Sequence, residues 1–162
     1  MRKLTATYMK SLLMNLKVKH FSALSLKELY DLLALRQLVF VVEQNAAYQD
    51  NDGNDEHCWH LWIEDEETCL AAYGRIVPAG LKFDELSIGR ILTAPSHRRH
   101  GFGRAIVKSL IETAQAQFGA CPIRISAQLY LRKFYEDFGF VAVSEVPYAE
   151  DGIPHIEMLR PV

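Results

Sequence analysis

Arg98-Arg99-His100-Gly101-Phe102-Gly103 is the stretch whose residue types and spacing suit chemistry on a phosphate group. It stands between an apolar, β-rich run, Leu86 to Thr93, closed by Ala94-Pro95, and a helical pattern reaching Phe118. Ile106, Leu110 and Ala114, with Val107, Ile111 and Phe118, give that helix apolar spacing. Free backbone N–H groups at a helix start, with the positive end of the helix dipole, attract anions. Gly101 and Gly103 let the backbone approach a ligand closely and take positive φ where needed. Arg98, Arg99 and Arg104 add positive charge, and His100 and Phe102 complete the turn.

Two familiar phosphate loops are excluded. The P-loop needs two glycines five apart followed by Lys and Ser or Thr, which is absent. The dinucleotide turn needs Gly or Ala three residues after Gly103, where Ile106 stands. A second segment, Ile123 to Phe140, reads as a short strand followed by a helix over 128–138, stopped by Gly139. Leu131, Phe134, Tyr135 and Phe138 make its apolar face.

Arg98-x-x-Gly101-x-Gly103 after a strand resembles the first signature of the GNAT superfamily of N-acetyltransferases. Phe134-Tyr135-x-x-x-Gly139-Phe140 resembles the second, at the expected distance and with a strand between. LRQLVFVVEQNAAYQDNDGND (Leu35 to Asp55) and EDGIPHIEM (Glu150 to Met158) are similar to the ElaA-like branch of that superfamily. The likeness runs from about Leu16 to the C-terminus. It implies the GNAT fold: an α/β, three-layer domain with a mixed central sheet flanked by helices on both faces.

The resemblance also implies an activity, direct transfer of an acetyl group from acetyl-CoA to a primary amine, and roles for particular residues. The turn from Arg98 to Arg104 grips the pyrophosphate. Main-chain groups of Ile91, Leu92 and Thr93 pair with the pantetheine arm, with the Leu92 N–H facing the thioester oxygen. Tyr135 is the general acid for the departing thiolate. Gln128 stands where many relatives carry Asn, and can still hydrogen-bond the pantetheine. Ser87 stands where some relatives carry a catalytic Glu and cannot serve as a base, so another group must take the amine's proton. Glu43, His60, His155 and Glu157 are the candidates, with Glu43 and His155 expected as base or acceptor-binding groups. Glu43 has a plainer reading, a helix-end residue paired with Arg36 or a backbone group. The rival reading of the whole chain is a non-catalytic coenzyme A-binding or regulatory domain.

Composition fits a single domain. The chain has 162 residues, 49% of them hydrophobic, and a net charge of −2, enough apolar material for a sizeable core. No apolar run is long enough to span a membrane. The slightly negative charge, without an aromatic-studded basic stripe, argues against a nucleic-acid partner. The expected partner is a small-molecule or peptide amine, and a homodimer is compatible with the superfamily. Cys58, Cys69 and Cys121 are odd in number and lack CxxC spacing, which fits reduced thiols and a cytoplasmic location. Asp50-x-Asp52-Gly53-x-Asp55 fails the calcium-loop pattern, since Asp55 and Leu61 stand where Gly and Glu are needed; no metal is expected. With Glu43 and Glu56, the acidic loop would favour a positively charged acceptor.

Positioning falls to interleaved strands and helices. Residues 1–15 have no counterpart in the resemblance and read as a disordered leader or extension; residues 16–162 form the domain. Leu16 to His20 alternates as a first strand, and Ser25-x-x-Glu28 has capping-box spacing for a helix. Val39 to Val42 is β-branched and apolar and is expected to be buried. Trp59–Glu64 and Cys69–Val77 suit a hairpin around residues 65–68. Strand 86–93, helix 103–118, strand 123–127 and two closing strands near 140–146 and 154–160 complete the domain.

Overall fold

The computed structural model describes residues 15–162; the leader reading lies outside them, apart from Asn15, which opens the first strand. Strands β1 (Asn15–His20), β2 (Trp59–Glu64), β3 (Leu70–Val77) and β4 (Leu86–Thr93) form an antiparallel run. The β2–β3 turn is tied by the Asp65 carboxylate, which accepts from the amides of Glu67 (3.0 Å) and Cys69 (2.8 Å). β5 (Ile123–Gln128) joins β4 in parallel, then β8 (Ile153–Arg160) pairs antiparallel with β5. β6 (Val141–Ala142) and β7 (Tyr148–Glu150) both pair with the far side of β8, completing an eight-stranded mixed sheet.

Helix α1 (Leu26–Arg36) begins at the expected capping box. Ser25 Oγ accepts from the Glu28 amide at 3.2 Å, and the Glu28 carboxylate accepts from the Ser25 amide at 2.9 Å. The helical trace then runs on as a π-helical stretch, Gln37–Glu43. The burial expected throughout 39–42 is thereby corrected. A helix turns neighbouring residues to different faces, so Val39 is buried while Val42 is 69% exposed.

The two faces of the sheet are read directly from alternation. Leu61, Ile63, Ala72, Ile76, Leu86 and Ile88 pack under helix α2 (Phe102–Phe118), against its buried residues Ile106, Val107, Leu110, Ile111 and Ala114. Trp62, Tyr73 and Leu92 point the other way, to Leu32 and Val39. Helices therefore cover both faces, in three layers, as the α/β reading requires.

The expected ten-residue helix after β5 is shorter. Leu129–Leu131 form a 3-10 turn, and α3 spans only Arg132–Glu136. Its end is as read: Gly139 takes φ +83°, with the Phe140 amide bonding Tyr135 O and the Gly139 amide bonding Glu136 O, a Schellman motif. The closing segment carries an extra hairpin, β7–β8, unseen in the sequence. Among the described residues no helix is long and apolar enough to cross a membrane.

Candidate active site

The site arises because two strands part. β4 and β5 pair only at Leu86–Ile123 and Ser87–Arg124. Beyond that point they diverge, leaving a cleft of about 580 Å³ lined by β4 from Ser87 to Thr93 and by β5 from Ile125 to Gln128. Divergence leaves β4 with an unpaired edge. The Ala94 amide bonds Ala71 O at 2.8 Å on β3, and Thr93↔Ala72 and Leu92↔Tyr73 follow in register. Alternation then turns the Leu92 amide toward Tyr73 and leaves the main-chain groups of Thr93 on the cleft side. The Leu92 amide, expected to face a thioester oxygen, is therefore turned away from the cleft.

The middle of β4 is bulged. The β3–β4 register shifts between Tyr73 and Arg75, and Arg90 takes φ +51°. Leu86 and Ile88 face the α2 layer, yet past Arg90 it is Ile91 that packs there, and Leu92 faces α1. One extra residue reverses the side-chain parity.

At the upper end of the cleft the 98–103 turn carries two left-handed residues, Arg99 (φ +65°) and Gly101 (φ +88°). Gly101 occupies the N-cap of α2, where no side chain caps the helix. The first helical bond runs from the Ala105 amide to Gly101 O, so the amides of Phe102, Gly103 and Arg104 precede the ladder. Gly103 serves a different purpose from Gly101: a Cβ there would meet Thr93 Oγ1 at 3.2 Å. Arg98 lines the cleft, donating to both Glu43 carboxylate oxygens (2.8 and 2.9 Å) and to Thr93 O (3.4 Å). Glu43 is thus paired with Arg98, not Arg36. Arg99 and His100 are exposed outside the cleft. Phe102 packs edge-on to His97, and Arg104 turns to Asp137 (3.1 Å) and the face of Phe138.

Tyr135 lies at the cleft wall, 7% exposed, with its ring edge-on to Phe134 and Phe140. Burial pushes its phenol well above the ordinary tyrosine range, and no hydrogen bond contributes. Gln128 also lines the cleft, its Nε2 3.5 Å from Gln44 Oε1. Ser87 is buried at the cleft floor, donating to Ile88 O at 3.4 Å.

The proton-acceptor candidates separate clearly. His60 is buried away from the cleft, held by Tyr73 OH (2.8 Å) and Asp55 O (3.0 Å), and burial lowers its pKa. Glu157 accepts from Arg124 at 3.0 Å. His155 does line the cleft. Its Nδ1 lies 2.8 Å from Ile153 O; a carbonyl only accepts, so Nδ1 carries the hydrogen and neutral His155 presents a bare Nε2. Tyr148 stacks on the imidazole with ring centres 6.1 Å apart. The Ser126 hydroxyl lies 2.6 Å from Tyr148 OH and donates to Glu150 at 2.9 Å, tying β5 to the β7–β8 hairpin. Ser126, Tyr148 and Glu150 went unnoticed in the sequence, because only strand pairing brings them together.

The acidic loop is spoken for internally. Asp50 accepts from Arg36 Nε and Arg90 Nε (both 2.7 Å), Asp55 from Arg36 (2.7 Å) and Arg75 (2.6 Å), and Asp52 from Arg75. Arg75 beside Asp52, and Arg36 beside Asp55, outweigh the desolvation that opposes ionisation and hold both carboxyls below the usual range. These charges hold arginines, which corrects the expectation that the loop itself draws a cationic acceptor. Cys58 is buried, its thiol bonded to Asn54 O at 3.0 Å and pushed up to about 11, so it is no nucleophile.

Similarity to known proteins agrees with this geometry. The acetyltransferase (GNAT) domain profile matches residues 30–160. Protein ElaA of Escherichia coli is 42% identical over 147 residues, covering 88% of this chain and 94% of that protein. A UPF0039 protein of Synechocystis is 40% identical over 141 residues, covering 87% and 91%. Among solved structures, an acyl-CoA N-acyltransferase from Pseudomonas aeruginosa superposes with TM-score 0.85 at 38% identity, covering 91% of this chain and 99% of that one. The crystal structure of E. coli ElaA gives 0.83 at 38% identity, with the same coverage. With a cleft opened between parting strands and a helix start left uncapped at its end, this chain belongs to the GNAT acetyltransferase family, in its ElaA-like branch.

Proposed function

We propose that this chain is an acetyl-CoA-dependent N-acetyltransferase that passes acetyl directly from the thioester to a primary amine, without an acyl-enzyme. The observation that carries this reading is the convergence, on one cleft, of an unpaired β4 edge and a phenol hydroxyl with no hydrogen-bond partner among the described residues. Acetyl-CoA supplies the activated acyl group. The amides of residues 102–104, with Arg98, suit its diphosphate. The open main-chain groups of β4 suit the amide-bearing pantetheine arm, which adds as a strand would.

His155 takes the proton from the amine at Nε2, with Tyr148 fixing the ring plane. The neutral amine attacks the thioester carbon, and an open-edge amide of β4 donates to the oxygen as it gains charge; one such donor is worth about 3 kcal/mol. Collapse breaks the C–S bond, and Tyr135 donates its proton to the departing sulfur. Burial that raises the phenol also raises the thiolate's basicity, since neither charge is solvated there. The products are an amide and a free thiol; the proton that the attacking nitrogen sheds as the amide forms restores Tyr135 by way of solvent, and His155 returns its own proton to water. Glu150 on the cleft wall favours a cationic small-molecule or peptide amine. Three free cysteines fit a cytoplasmic enzyme.

Thiol release from acetyl-CoA, followed over a panel of amines with calorimetry alongside, tests this. Amine-dependent release, suppressed in His155→Gln, is expected. Tight acetyl-CoA binding without release across the panel would establish the non-catalytic binder instead.

A further inference from the structure

We infer that Arg90, clamped by Asp50, is the positioning residue that holds the open edge of β4 in its bulged register; the catalytic consequence rests on the proposed acetyl transfer. Arg90 is the one residue of β4 with positive φ, at +51°. Left-handed backbone is natural to glycine and strained for a side chain. Nothing local rewards Arg at that position, so the compensation must come from elsewhere.

It comes from the buried loop. Arg90 Nε donates to Asp50 Oδ1 at 2.7 Å, and Arg90 Nη2 donates to Asp50 O at 3.1 Å. Asp50 is 4% exposed and is itself fixed by Arg36 Nε at 2.7 Å and by Tyr48 OH at 3.3 Å. The guanidinium thus grips Asp50 through two charge-assisted bonds and lies 3.6 Å from Asp52 Oδ2. Across the bulge stands Gly74, where a Cβ would meet Leu110 Cδ1 at 2.5 Å and Ile91 Cγ1 at 3.3 Å. Ile91 therefore lies over a gap that glycine leaves, and Leu92 fills the opposite layer, 4% exposed.

Losing the bulge would exchange the faces of Ile91 and Leu92 and rotate every main-chain group from Ile91 to Thr93. The amides lining the cleft depend on that register. Arg90 so governs the edge on which the thioester lies without touching the reacting atoms.

Arg90→Ala and Arg90→Gly separate this role from a plain ion pair, because both delete the guanidinium and only glycine accepts the dihedral. Amide hydrogen exchange over residues 86–94 of the ligand-free protein reads the register directly. Exchange is expected to rise about tenfold in Arg90→Ala, the scale of left-handed strain, and to fall back toward wild type in Arg90→Gly. kcat for thiol release should follow the same order while the melting temperatures of the two variants stay close. Equal exchange in the two variants, or wild-type exchange in Arg90→Ala, would overturn the clamp. A wild-type protein with no transferase activity would overturn the proposed function alone, since exchange needs no turnover.

Discussion

Removing one oxygen from Tyr135 isolates its chemistry from its packing. In Tyr135→Phe the ring keeps its edge-on contacts, 5.2 Å to Phe134 and 5.9 Å to Phe140 between ring centres. Among the described residues the hydroxyl has no hydrogen-bond partner, so the substitution removes no such bond and a poorly solvated polar group disappears. Stability should change by less than about 0.5 kcal/mol. General acid catalysis contributes about 10²- to 10⁴-fold, or roughly 2.7–5.4 kcal/mol of barrier. Thiol release should therefore show kcat down at least about 100-fold, with acetyl-CoA affinity by calorimetry and the thermal midpoint nearly unchanged. The raised phenol stays protonated well past neutral pH, so wild-type kcat should show no alkaline loss below about pH 10. Loss of affinity and stability in step with kcat would mean a packing residue, and an unimpaired kcat would remove Tyr135 from the chemistry.

The two turn glycines should fail differently. Gly101→Ala meets no neighbour but strains the left-handed backbone, weakening acetyl-CoA binding about tenfold, whereas Gly103→Val presses on Thr93 Oγ1 and should abolish binding; calorimetry separates the two. Glu43→Gln releases Arg98 from an exposed pair, 43% and 38% accessible, worth about 0.2–1 kcal/mol. Acetyl-CoA should then bind up to about fivefold more tightly at low salt, and weaker binding would mean that Glu43 organises the turn. Stability should fall in two stages on acidification. His60, kept neutral by burial, loses ground to an unfolded chain that takes up a proton below about pH 6.5. Asp52 and Asp55, held low by arginines, stabilise fully above about pH 4 and progressively less below it. Thermal melts across pH should lose the upper stage in His60→Gln.

Legibility in the sequence followed the range of the interaction concerned. β4 was read at its true bounds, Leu86–Thr93, and α2 to within one residue, because an apolar run between turn residues and a 3.6-residue period are local. The capping box at Ser25 and the left-handed stop at Gly139 were legible for the same reason. The burial expected along Val39–Val42 held only for part of the run, because the preceding helix continues and turns neighbouring residues to different faces. α3 was overestimated because its apolar spacing extends through Leu129–Leu131, which wind more tightly without a side-chain cap.

What escaped reading is what closes over long sequence separations. Asp50 meets Arg36 across 14 positions and Arg90 across 40, and Ser126 meets Glu150 across 24. No periodicity encodes such pairings, and an aspartate-rich loop looks the same whether it faces solvent, a metal or buried arginine. One local trace did exist. Gly89-Arg90 interrupts an otherwise apolar strand, and glycine beside a charge inside a strand is the mark of a bulge. That dipeptide marks where the signatures at either end of the cleft acquire a shared geometry. In the proposed transfer the turn at 98–103 fixes one end of the ligand and Tyr135 the other, and the β4 edge between them sets their alignment. A family signature can therefore name the residues that touch a substrate while the residues that aim them stay hidden until the loop that anchors Arg90 is seen folded against it.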